Sequence, residues 1–152
     1  MLHKTDKNWI YYDLIGDPCA PMVCMSHSLT SDHGMWSEQV PAILAAGYQV
    51  LRIDTRGHGG SSADAADYTI EELADDVLSV LDALGFTSGV HFIGLSMGGM
   101  IGQVIAADHP ARGALGVGRN GMAMANRYDL LRRLAIALSR PGVDGVLGTP
   151  DI

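Results

Sequence analysis

Apolar residues fall along the chain in short blocks that switch between two spacings. Trp9 to Ile15 alternates loosely and is rich in aromatic and β-branched residues, which predicts a strand ending at the Gly16-Asp17-Pro18 turn. Met22–Met25, Tyr48–Ile53 and Val90–Leu95 are short apolar runs, each followed by a polar or glycine-rich loop, as expected of strands buried on both faces of a parallel sheet. Between them the spacing becomes helical. Ile70, Leu73, Val77, Val80, Leu81 and Leu84 share one helical face, with Thr69 and Glu72 spaced as a capping box and Gly85 placed to end the helix. Two more helices are expected, from about Trp36 to Ala46 with Pro41 near its first turn, and from Ser96 through Ala107. Strand and helix in alternation imply right-handed crossovers, so the predicted class is α/β: a mostly parallel sheet with helices on both faces. Ligands gather at the carboxyl ends of such strands, which directs attention to the loops after Met25, Ile53 and Leu95.

The last third reads differently. Gly113 to Gly118 places glycine where a strand would want branched residues. A helical pattern returns near 123–139, clearest from Tyr128 to Ser139, and Pro141-Gly142 stops it. No repeat or linker divides the chain, so residues 1–152 are expected to form one domain with a divergent tail over 111–152.

Composition narrows the function classes. Ten Lys plus Arg against 17 Asp plus Glu leave a net charge of −7, with no basic stripe to meet phosphates, so nucleic acid is not an expected partner. At 47% apolar residues the chain can bury a core. No apolar run approaches the roughly 18 residues of a membrane span, and residues 1–8 are polar and mixed in charge, unlike a secretion signal. Two cysteines, Cys19 and Cys24, are too few for a disulfide framework, and the expected setting is the cytoplasm.

The chemistry centres on Gly94-Leu95-Ser96-Met97-Gly98-Gly99, which follows an apolar strand and opens a helix. A serine on so sharp a turn projects its hydroxyl only if the residues two before and two after lack clashing side chains, and the Met97 N–H then faces the space where an oxyanion would form. His27-Ser28-Leu29 closes the strand expected beside it, with the Leu29 N–H as a second oxyanion donor and Ser28 standing where glycine is more usual. In the third loop, Asp54-Thr55-Arg56-Gly57-His58-Gly59-Gly60-Ser61-Ser62, Asp54 and Arg56 are suited to hold neighbouring loops through charge-assisted hydrogen bonds. A dinucleotide-binding fold, the main rival for this β-α-β pattern, lacks its Gly-x-Gly-x-x-Gly turn.

In this order the three motifs resemble the α/β-hydrolase fold. His27 to Asp32 with Met35-Trp36, Asp54 to Ser62, and Leu95 to Met100 are similar to its 3-oxoadipate enol-lactonase and carboxylesterase branch, over about residues 9–110. The resemblance implies a serine hydrolase of small carboxylic esters or lactones, with Ser96 as nucleophile, Leu29 and Met97 as oxyanion donors, and neither metal nor organic cofactor. It also implies a later acid and base, in the order serine, carboxylate, histidine. The 56 residues after Ser96 hold one histidine, His109, about 20 Å along the same helix. The resemblance thus covers the front half of a hydrolase, and the expected sheet is a short, truncated one. Another base could serve, among His27, His33 and His58, with His27 slightly favoured by position. Alternatively a second copy could complete the sheet or site as a homo-oligomer, or the chain could be a weak or inactive hydrolase-like oligomer, or a small-molecule binding module.

Overall fold

A computed structural model describes residues 1–112. The expected helix near 123–139 and the rest of the tail lie outside the described residues. Five strands, β1 (Leu2–Lys4), β2 (Trp9–Ile15), β3 (Met22–Ser26), β4 (Gln49–Ile53) and β5 (His91–Gly94), form one sheet in the order β1-β2-β4-β3-β5. Three neighbouring strands, β4, β3 and β5, are parallel, as the apolar runs imply. Each pairs in register, Cys24 with Leu51 on one side and with Phe92 on the other. The sheet is nevertheless mixed, because β2 runs antiparallel to β4 and β1 antiparallel to β2.

Every residue of β3 and β4 is buried, and alternation sorts their side chains to two faces. Met22, Cys24, Leu51 and Ile53 pack under α2 (Ile70–Ala83) and α3 (Met97–Asp108), while Val23, Met25 and Val50 pack under α1 (Val40–Ala45) with Trp36 from a 3-10 turn. Burial among these apolar groups raises the pKa of the Cys24 thiol, which is an inert core residue. Helix α2 begins as its capping box dictates: Thr69 Oγ1 accepts from Glu72 N–H, and Glu72 Oε2 accepts from Thr69 N–H. Pro41 occupies the first turn of α1. No described helix is long and apolar enough to cross a membrane.

Strand β1 was not expected, since it lies in the mixed-charge segment 1–8 and buries little. It is held by hydrogen bonds rather than burial: the Met1 ammonium donates to Tyr12 O at 2.6 Å, and His3 Nε2 lies 2.8 Å from Ser79 Oγ on α2.

Candidate active site

Strand β5 passes into α3 through Ser96, whose backbone sits at φ 51°, ψ −112°. A non-glycine residue held there is strained and persists only where its surroundings over-determine it. The surroundings here are backbone. A β-carbon on Gly94 would overlap the Gly98 carbonyl group, and one on Gly98 would overlap the carbonyl oxygen of Ser26. The two glycines therefore let α3 start directly against β5 and the end of β3. Main-chain bonds complete the clamp: Leu95 N–H donates to Ser26 O at 3.2 Å, and Gly98 N–H donates to His27 O at 3.1 Å. Met97 lies in the first turn of α3, where N–H groups have no partner within the helix and favour negative charge.

Beside this elbow, Ser28-Leu29-Thr30-Ser31 forms a turn closed by Ser31 N–H to Ser28 O at 3.2 Å. Its positive φ falls at Thr30, at 62°, so the conformation that favours glycine lies two residues beyond Ser28. The third loop is built on Asp54, fully buried at the end of β4. Its carboxylate accepts from His33 N–H at 2.6 Å, from Gly60 N–H at 2.8 Å and from His33 Nδ1 at 2.9 Å. Arg56 donates through two nitrogens to Asp76 of α2, each at 2.7 Å, with its guanidinium 5.5 Å from the Tyr68 ring. The hydrogen bond to Asp76 raises the Arg56 pKa further and fixes it as a cation. Asp54 and Arg56 thus hold neighbouring loops, as their residue types suggest.

The arrangement has close counterparts. The 3-oxoadipate enol-lactonase 1 of Acinetobacter baylyi is 47% identical over 112 residues, covering 74% of this chain and 41% of the relative. Among solved structures, the enol-lactonase from Burkholderia xenovorans LB400 superposes with a TM-score of 0.70 at 40% identity, over 74% of this chain and 43% of that one. A hydrolase from Pseudomonas aeruginosa PA01 gives 0.72 at 38% identity, over 76% and 43%. The chain belongs to the α/β-hydrolase family. It resembles the N-terminal part of the enol-lactonases and spans less than half the length of these relatives. A family model described as Cgl0159-like matches residues 101–152, beginning within α3.

Of the histidines weighed as a base, His27, His33 and His58 each hold other partners. His27, the residue favoured by position, is fully buried at the end of β3. Its Nδ1–H donates to Ser28 O at 2.7 Å, and its Nε2 accepts from Thr55 N–H at 3.0 Å. Both ring nitrogens are engaged, so His27 spans the two loops as a neutral strut, and a role as base to Ser96 would require one of these bonds to break. Desolvation lowers its pKa and keeps the ring neutral. His33 is bound to Asp54 on the β4 side, and β3 stands between β4 and β5, a separation of about 10 Å between those strand ends. His58 accepts from Thr30 N–H at 3.3 Å and approaches Arg56 O at 3.2 Å through Nδ1. His109 caps the far end of α3.

The pairing of His33 with the buried Asp54 is the feature sequence reasoning missed. His33 reads there only as one strand-end histidine among three, and its 21-residue separation from Asp54 follows no motif spacing.

Proposed function

We propose that this chain is the nucleophile-bearing part of a serine hydrolase of carboxylic esters or lactones. Ser96 is the acyl acceptor, and the backbone N–H groups of Leu29 and Met97 receive the oxyanion. The observation that carries the reading is the strained Ser96 backbone between two glycines whose β-carbons the packing forbids. Strain of this kind costs roughly 1–3 kcal/mol and is retained where a reacting group must be held at one angle. The similarity to enol-lactonases supports a lactone or small ester as substrate.

In the reaction the Ser96 oxygen adds to the substrate carbonyl carbon and its proton passes to a base. The carbonyl oxygen becomes an oxyanion at the two N–H groups. The intermediate then collapses to an acyl-enzyme as the base returns the proton to the leaving oxygen, which departs as an alcohol from an ester but stays on the acyl chain as a hydroxyl from a lactone, and water later frees Ser96 with the carboxylic acid as product. The hydrogen bonds that occupy His27, His33 and His58 support a base from outside the described residues, in a homo-oligomer a second copy's. Without one, the oxyanion hole alone sustains weak hydrolysis, since such sites retain about 10³–10⁴-fold over water. Two unpaired cysteines fit a cytoplasmic setting.

A fluorophosphonate probe is expected to label Ser96, and short-chain p-nitrophenyl esters to be hydrolysed above a Ser96→Ala control. Absence of both labelling and Ser96-dependent turnover removes the enzyme and leaves a binding module. Light scattering showing a monomer at micromolar concentration removes the oligomer.

A further inference from the structure

The turn that carries Leu29 is one peptide flip away from a different shape. Ser28 to Ser31 has an i to i+3 hydrogen bond, with Leu29 second and Thr30 third. Thr30, at φ 62°, occupies the position where a type II turn calls for glycine. A β-branched residue is among the worst choices there. Left to itself, the segment gains by rotating the Leu29–Thr30 peptide into a type I turn, which accepts most residues and has negative φ at its third position. That rotation turns the Thr30 N–H to the opposite side.

One described hydrogen bond opposes it. Thr30 N–H donates to His58 Nε2 at 3.3 Å. An Nε2 that accepts an amide proton carries none, so the His58 proton is on Nδ1, which lies 3.2 Å from both Arg56 O and Thr55 Oγ1. Arg56 is in turn fixed by Asp76, so the acceptor stands on an anchored loop. On the other side of Thr55, His27 is held the same way, with its ring centre 5.0 Å from that of His58.

We propose that His58 is a positioning residue for the oxyanion hole: by accepting the Thr30 N–H it holds the Ser28–Ser31 turn in its strained form, and so keeps the turn that bears Leu29 in one place beside the elbow. This rests on the reading of Ser96 and Leu29 given above. On this reading His58 acts through the turn, and its contribution appears in the transition state, when the oxyanion forms.

Two measurements separate the tether from the chemistry. In NMR spectra of the isotopically labelled full chain, the strong Leu29 Hα to Thr30 H^N contact of a type II turn is expected in the wild type. It should be lost in His58→Ala, kept in His58→Gln, whose amide oxygen accepts the same proton, and restored in Thr30→Gly/His58→Ala. The rate of fluorophosphonate labelling at Ser96, and kcat on a p-nitrophenyl ester, should fall about 10- to 100-fold in His58→Ala with KM little changed. This is less than the roughly 10²–10³-fold for removing a donor outright. Within the Thr30→Gly background the same change should cost under about threefold, because glycine holds positive φ unaided. A contact that persists in His58→Ala, or an equal loss with and without Thr30→Gly, overturns the proposal. If the wild type is not labelled at all, the hydrolase reading fails, and the NMR contact alone decides whether His58 holds the turn.

Discussion

The elbow at Ser96 and the two loops beside it reach the same rigidity by different means. Around Ser96 the geometry is set by main chain: glycines that admit a helix against a strand, and amides that donate to Ser26 O and His27 O. In the loops after β3 and β4 it is set by side chains: His27, His58, Asp54 and Arg56 each reach across to another segment. A backbone-held region depends on which residues lack a side chain. A side-chain-held region depends on the charge, tautomer and partner of each group, so it is the part that mutation and pH should disturb selectively.

The largest effect is expected where a side-chain tether is both charged and buried. Asp76→Ala leaves the Arg56 guanidinium without its carboxylate, at 8% exposure. Breaking one partner of such a pair costs about 3–5 kcal/mol, read as a lower urea midpoint. An effect under about 1 kcal/mol would mean that Arg56 finds water or another acceptor, and that the loop after β4 is less dependent on α2 than the geometry implies.

A smaller loss is expected for Gly98→Ala in the backbone-held region, because the added methyl meets the Ser26 carbonyl oxygen, which cannot rotate away as a side chain would. Overpacking of this kind costs about 1–3 kcal/mol. The comparison is sharpened by what accompanies the loss: Gly98→Ala should abolish Ser96 labelling in the fraction that remains folded, since α3 must move off β3 and carry Met97 with it. Full labelling in a destabilised Gly98→Ala chain would show that the elbow tolerates displacement.

The same contrast explains which parts of the molecule could be read in advance. The strand Trp9–Ile15, the capped start of α2 and the elbow were legible because each is a local pattern: alternation, a Thr-to-Glu spacing of three, or glycines flanking a serine. Strand β1 was not, since its three residues bury little and owe their place to hydrogen bonds with β2 and Ser79. The mixed sheet was hidden for a related reason, as alternation in β2 reports burial but not direction. At the site, the strand-to-helix turn at Ser96 was legible and the engagement of His27 was not: a histidine ending a strand reads alike whether it is a base or a strut. The difference lies in Thr55, 28 residues away, whose amide takes its Nε2.

His27 supplies the mildest test, in which pH replaces mutation. Burial is the main cause of its lowered pKa, with nearby His58 acting in the same direction and the bond to Ser28 O and the charges of Asp54 and Asp32 acting against it. The unfolded chain takes up a proton at this imidazole near the ordinary value of about 6.5, whereas the folded chain resists until a lower pH. The unfolded state therefore binds more protons in that window, and stability rises with pH across it. The neutral strut contributes fully above about pH 6.5, and its contribution declines as the pH drops towards the folded value. Denaturant unfolding followed from pH 7.5 to 5 should show a steeper loss for the wild type than for His27→Gln, which keeps an oxygen for Thr55 N–H and does not titrate. Parallel curves would mean that His27 is charged as readily folded as unfolded, and the loop after β3 would then need a different anchor from the one its geometry gives.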